Sequence, residues 1–511
     1  MSLDVFLNPE IWILIAAGSV LGYMVGILPG LDGTTGIALL APLGLYLDSE
    51  VVFYFYAALL GSVTFAGSVP AILFNIPGEA ICLVTTFDGF PMSRQGRAME
   101  ALSISAVATS LGAFVSVGFL ILSLPVARQI VMLFGPAEKF WLVMCAFVLV
   151  PFLGGTDTLK GLVAVTLGLV LSSIGRSVVT GEFRYTFGAS YLGSGLNLIP
   201  FLAIGVFAIR VVLGLMSTPH EPISVGSVKV DLRQMRKGVS FVLRQPLALF
   251  RASFIGTVIG VIPGIGPVTA TFMSYIAARG ASKNPETFGK GNPAGVMAAE
   301  AANNAEQGGA AITSLLLGIP GNLDWAILLG IMVMYGIMPG PDLLVQNPGV
   351  VWGIVWGVVI GNAISSTIGL LAGTQLARLT AIKPMYIVPF VFIPCMLGAY
   401  LINNSIWDCM IAIVGGLLGY CIHKQNYELL PFAMGFILGP YIERNFYMAF
   451  QVGYHRYTGF VDSATSIILL IFCVAVVVAG PRLRRRLMRG VSGSTDEHAL
   501  SGSFCQTCCS L

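Results

Sequence analysis

The chain of 511 residues is 56% hydrophobic and 10% charged, where soluble domains average about 25% charged, and its mean hydropathy is +0.87. Apolar runs recur along its length, each long enough to cross roughly 30 Å of hydrocarbon and far longer than the ~10-residue alternating segments of a barrel. A soluble enzyme and a β-barrel are excluded in favour of an all-α polytopic protein of the lipid bilayer, and a formal net charge of +3 points to no nucleic-acid partner.

The N-terminus, MSLDVFLNPE, lacks the basic region of a cleaved signal peptide, so the first apolar run is expected to persist in the mature protein. That run is interrupted at 26–36 by GILPGLDGTTG, and FNIPGE follows at 74–79. No Lys or Arg occurs before Arg94 and Arg97. Apolar runs then lie near 99–124, 140–156, 158–178 and 195–216. Residues 217–250 are polar and basic; VDLRQMRKGVSFVLR suits either a helix on the inner membrane surface or an ordinary connecting loop.

The pattern then returns: GVIPGIGPVTA at 260–270, EAANNAEQGG at 300–309 and LGIPGN at 317–322, inside a base-free stretch from 291 to 377. Further runs lie near 350–377, 384–402, 406–422, 429–448 and 462–480, about 11 full crossings in all, before RLRRRLMR at 482–489. Four units result: a first membrane half (1–216), a cytoplasmic or interfacial connector (217–250), a second half (251–481), and a cytoplasmic tail (482–511) whose composition is that of a disordered segment. Of nine cysteines, Cys82, Cys145, Cys395, Cys409, Cys421 and Cys473 lie in or beside apolar runs and are expected to pack as small hydrophobes; three cluster in CQTCCSL at the end.

The two halves are related. An offset of 234 aligns Gly22 with Gly256, Gly26 with Gly260, Pro29-Gly30 with Pro263-Gly264 and Thr35 with Thr269; an offset of 243 aligns FNIPGE with LGIPGN. Copy one runs from an acidic, base-free end (Asp4, Glu10) to Arg94 and Arg97, whereas copy two runs from the basic 229–251 region to base-free MPGPDLLVQNPG. By the positive-inside rule the copies are inverted. Arg251 lies 12 residues before Pro263, about 18 Å of helix, and Arg279, Lys283 and Lys290 follow on the same side. Each Pro-Gly motif is therefore expected at the tip of a re-entrant hairpin, the two entering from opposite faces, with the N-terminus outside and the C-terminus inside. Arg128, Arg176 and Arg184 depart from this scheme.

Irregular backbone at membrane depth is tolerated where it is buried in protein or lines a cavity, and paired breaks in inverted repeats mark a secondary transporter's midplane site. The exposed N–H groups of a broken helix favour anions and its carbonyls cations. The candidate substrate-binding residues are Pro29, Gly30, Thr34, Thr35, Asn75, Pro77, Gly78, Pro263, Gly264, Thr269, Pro320 and Gly321. The candidate ion-coupling residues are Asp32, Glu79, Glu300, Asn303, Asn304 and Asn322, serving Na⁺ or H⁺, with no other cofactor and no metal centre. Asp324, Glu306 and Gln307 stand close by in sequence. The alternatives are that the Gly22/Gly26 and Gly256/Gly260 pairs pack helices, and that Glu300 and Glu306 lie solvated in a loop. His220, His423, His455 and His498 are solitary, and no catalytic triad, metal-ligand spacing or phosphate loop occurs, so no enzyme is expected.

GILPGLDGTTGIALLAPLG, FNIPGEA, DGFPMSRQGRA, GVIPGIGPVTATFMSYIAA, LLLGIPGN and above all SKNPETFGKGNPAGVMAAEAANNAEQGGA resemble the large membrane subunit of tripartite tricarboxylate transporters, the TctA family. The resemblance covers roughly 10–480. It implies an ion-gradient-driven importer in a bacterial inner membrane, with a small membrane subunit, a periplasmic solute-binding protein and a small organic carboxylate as partners. The first tip reads PGLDG where the family usually has PGLGP, and Glu79 replaces a small polar residue after IPG. A one-component transporter, a channel and an intramembrane enzyme are the competing readings.

Overall fold

The computed structural model describes residues 8–492 apart from 29, 45–46, 49–50, 132–133, 154–156, 178, 218–230, 341–342, 377–383 and 454–455. Pro29, Lys229, Arg378, Lys383, Glu50 and the three tail cysteines thus lie outside the described residues. The first half comprises α1 (Pro9–Ile27), α2 (Gly33–Gly44), α3 (Val52–Ala66), α4 (Ser68–Phe74), α5 (Leu83–Arg94), α6 (Ala98–Val131), α7 (Pro136–Leu153), α8 (Thr158–Ser172) and α9 (Leu198–Ser217, π-helical over Leu198–Ile209). Then follow α10 (Leu232–Leu243) within the 217–250 connector, and α11 (Pro246–Gly260), α12 (Pro267–Gly280), α13 (Pro293–Leu317), α14 (Leu323–Met334), α15 (Leu343–Gln346), α16 (Pro348–Leu376), α17 (Pro384–Asn403), α18 (Ile406–Lys424), α19 (Leu429–Val452) and α20 (Ala464–Ser492).

Among the described residues, six helices are long and apolar enough to cross a bilayer: Pro9–Ile27, Val52–Phe74, Ala98–Pro125, Leu198–Ser217, Pro348–Leu376 and Ile406–Lys424. The pair α10–α11, bent by 75°, makes a seventh if counted as one span. Other apolar helices are shorter, among them Thr158–Ser172, Leu323–Met334 and Ala464–Val478.

Local chemistry sets the helix starts. Asn8 accepts a hydrogen bond from the Glu10 amide (3.0 Å) ahead of Pro9, and Asn292 accepts from Ala294 (2.8 Å) ahead of Pro293; an N-cap followed by proline at the first position suits a helix start. The GxxxG pairs then decide packing. A Cβ added at Gly22 or Gly26 would sit 2.6 Å from the Leu59 or Val63 carbonyl oxygen of α3, and one at Gly256 would sit 2.5 Å from that of Ala302 in α13. Backbones approach there at a distance only glycine allows, so these pairs pack helices.

Packing is reciprocal between the halves. α1 lies on α3 and α11 on α13; α3 then packs on α16 and α13 on α6, while α9 packs on α18 and α19 on α8. The main apolar core accordingly mixes residues of both halves, such as Ile37, Phe53 and Phe201 with Trp325, Ile354 and Phe432. The basic segments gather: Gln95 donates to the Lys290 carbonyl (2.8 Å), Gln234 to that of Gly96 (3.0 Å), and Arg97 pairs with Glu100 (2.8 Å).

Three features differ from the sequence reading or resolve it. The run expected over 158–178 ends as helix at Ser172, and a short antiparallel ladder of β1 (Gly175–Arg176) and β2 (Phe183–Arg184) follows, tied down by an Arg184–Glu443 ion pair (2.9 Å). Cys145 of α7 and Cys473 of α20 are not merely packed as hydrophobes: the two helices lie side by side, bringing the Cα atoms to 5.1 Å, and the pair is a disulfide. Cys82, Cys395 and Cys409 are buried free thiols, as expected, whereas Cys421 of α18 is exposed rather than packed inside. Between loop and helix, residues 232–243 are helix; Asp231 caps it through the Arg233 amide (2.9 Å) and it packs on α6.

Candidate functional site

The breaks recur at equivalent positions. α1 ends at Ile27, and Gly30 takes φ +85° before α2 starts at Gly33; α11 ends at Gly260, and Gly264 takes the same φ, +85°, before α12 starts at Pro267. Such values are open to glycine and strained for other residues. α4 closes on Asn75 (φ 60°) and α13 on Gly318 (φ 71°), both left-handed caps. The IPG segments then fold back on their own halves. A Cβ at Gly78 would lie 2.6 Å from the Gly67 Cα, and one at Gly321 would lie 2.7 Å from the Ala310 Cα. The same two offsets that align the sequences, 234 and 243, therefore align the backbone.

Polar side chains join these breaks. Thr34, in the first turn of α2, donates to Asp324 Oδ1 (2.5 Å), and Gln307 of α13 donates to Asp324 Oδ2 (3.1 Å). Gln307 Oε1 in turn accepts from the Trp325 indole (3.1 Å) and from Asn322 Nδ2 (3.3 Å), which also donates to both oxygens of Glu306 (3.3 Å each). Asn322 Oδ1 caps α14 through the Trp325 amide (3.1 Å). The second tip enters through the Gly264 amide, which donates to the Gly321 carbonyl (3.3 Å). On the other side, the Gly33 amide at the start of α2 donates to Glu79 Oε1 (2.7 Å). A carboxylate thus sits on a helix N-terminus, where peptide dipoles favour an anion. Through the chain neighbours Gly33–Thr34 and Gly321–Asn322, these bonds link the first break, both IPG segments and the second break.

A second polar group lies where α13 meets α3, α4, α5 and α6. Glu300, Asn303 and Asn304 are each 0% exposed and Glu306 is 1% exposed, which settles these residues as interior rather than solvated. Glu300 Oε1 accepts from Ser68 (2.7 Å) and from Thr85. Asn304 donates to Thr109 (2.9 Å), and Asn303 lies against the Thr64 carbonyl and Cys82. Ser68, Thr85 and Thr109 escaped the sequence reading; for Thr109 the signal present was hydroxyls recurring at helical spacing along α6, Ser105 and Thr109 among them.

The other candidates take more local roles. Asp32 Oδ1 caps α2, accepting from the Thr35 amide (2.8 Å) and hydroxyl (2.6 Å). Thr269 donates to the Ile265 carbonyl within its own turn (3.0 Å), and Asn75 is exposed. Pro77 is half-buried, while Pro263 and Pro320 are buried in the breaks. Asp88, unremarked in the sequence, is buried and accepts from Tyr275 Oη (2.8 Å) and from the Gly291 and Asn292 amides (2.8 and 2.7 Å). Among the described residues no group of three or more His, Cys, Asp and Glu has a metal-binding arrangement.

Apolar helices broken around a buried polar interior define a multi-pass membrane transport protein. The chain belongs to the TctA family of tripartite tricarboxylate transporters, whose profile matches residues 12–434, and is the large subunit type of that system. It is 32% identical over 469 residues, 90% of this chain and 91% of the relative, to the "Uncharacterized 52.8 kDa protein in TAR-I ttuC' 3'region" of Agrobacterium vitis. It is 37% identical over 226 residues, 44% of this chain and 93% of the relative, to the "Uncharacterized protein in TAR-II ttuC' 3'region" of the same organism. No solved structure matches the chain.

Proposed function

We propose that this subunit is the permease of an ion-gradient-driven importer of tricarboxylates or other small organic carboxylates in a bacterial inner membrane. It works with a small membrane subunit and a periplasmic solute-binding protein, and is not an enzyme. The observation that carries the reading is the network joining Gly33, Glu79, Thr34, Asp324, Gln307, Asn322, Gly321 and Gly264. In this reading the chain is two inverted repeats with about eleven crossings, the N-terminus outside and the C-terminus inside, and the network supports the meeting of the two re-entrant tips. The tip amides with Thr34 and Thr35 hold substrate carboxylates; Asp32, Glu79 and Asn322 at the tips, and Glu300, Asn303 and Asn304 behind them, serve the coupling ion. Several carboxyls in one low-dielectric space require a counter-charge, which is what couples a cation or proton to anion binding. Movement of one group of helices against the other around a fixed site then alternates access.

The test is uptake of labelled carboxylates into vesicles holding this chain, with and without the small subunit and binding protein, under Na⁺ and pH gradients. Saturable, gradient-dependent uptake needing both partners is expected. Uptake without a binding protein identifies a one-component transporter, and gradient-independent, non-saturating flux identifies a channel; either overturns the proposal.

A further inference from the structure

Glu300, Asn303 and Asn304 share one face of α13, at positions i, i+3 and i+4, and are wholly buried. Each has an oxygen without a hydrogen-bond partner among the described residues: Glu300 Oε2, Asn303 Oδ1 and Asn304 Oδ1. Ser105 of α6 is buried and stands beside the Glu300 carboxyl, to which its hydroxyl can donate while its lone pairs stay free. Three side chains of α13 that each keep an unmet acceptor oxygen in the interior are costly. A proton on Glu300 gives one donor and can meet one acceptor. A cation held among them can meet more than one.

Charge selects the cation. The oxygens belong to one carboxylate, two amides and one hydroxyl, so a monovalent ion leaves the chamber neutral, whereas a divalent one leaves a net buried charge. The remaining donors already hold the walls in place: Ser68 and Thr85 point at Glu300 Oε1, and Thr109 receives Asn304 Nδ2. We propose that Glu300, Asn303, Asn304 and Ser105 form a sodium site between α6 and α13, separate from the tip carboxyls Glu79 and Asp324. The site deepens the importer reading and rests on it for its role, since α13 carries this chamber and, at Gln307, a link in the tip network. Sodium in the chamber fixes the turns of α13 below the substrate-binding network, and its loss releases them.

The experiment is thermal unfolding of the purified full chain, without carboxylate, in NaCl against choline chloride at fixed ionic strength. A ligand that binds only the native state raises the midpoint in proportion to its occupancy. Wild type is expected to be stabilised saturably by sodium. Ser105→Ala, which removes one of the proposed ligands, is expected to need about tenfold more sodium, and Asn303→Ala and Glu300→Gln at least as much. Equal unfolding in the two salts, or an equal sodium response in all variants, overturns the site. Failure of the importer reading looks different: a Glu300-dependent sodium response with no carboxylate uptake leaves the ion site standing. Uptake driven by pH alone with no sodium response removes the site and leaves the importer.

Discussion

Gly78 and Gly321 give the site its shape, because the backbone of Gly67 and of Ala310 fills the space a methyl group needs. Gly78→Ala or Gly321→Ala is expected to cost about 1–3 kcal/mol, read as a lower unfolding midpoint in detergent; no change would show that the IPG segments have room to relax. Gln307 bridges three members of the network, and Gln307→Leu leaves the Trp325 indole without its acceptor and Asp324 Oδ2 without its donor. A loss of about 1–3 kcal/mol for each group left buried and unpaired follows, and a double-mutant cycle with Asp324→Asn measures the coupling. The glycines were legible in the sequence because proline and glycine have so few other uses inside an apolar run. Asp324 and Gln307 stood in view, yet nothing in their spacing showed that Thr34, 290 residues from Asp324, would reach the first of them.

At the scale of elements, α5, α12 and the start of α13 meet at Asp88, which takes three donors from Tyr275, Gly291 and Asn292. Hydrogen bonds to a charged group are worth about 1.5–3 kcal/mol each, so Asp88→Ala should free the 282–292 segment. Faster tryptic cleavage at Lys283 and Lys290 in inside-out vesicles is the expected result, and an unchanged rate would mean the segment is held elsewhere. The helix breaks were readable from the Pro-Gly steps inside apolar runs, and the periodicity of 232–243 suited a helix without excluding a loop. The β1–β2 ladder was not readable: the apolar run continues through Val178 and Val179, while Gly175 at φ 109° has already turned the chain. Hydropathy records composition and is blind to such a turn.

For the whole molecule, the duplication visible in the sequence becomes exchanged packing, with α3 on α16 and α13 on α6. Offsets can reveal the repeat, but which helix of one half lies on which of the other is a tertiary fact, as is the Cys145–Cys473 pairing across 328 residues. The proposed threading predicts that Asp48→Cys labels with an impermeant thiol reagent from outside and Asn284→Cys from inside; labelling of both from one side would refute the inversion. The central claim is that both breaks build one binding place. Its most direct test places single cysteines at Thr34 and Asn322 and follows modification by a permeant thiol reagent while a tricarboxylate is titrated. Protection of both positions with the same half-maximal concentration is the predicted result; protection of one alone, or of neither, would contradict the account.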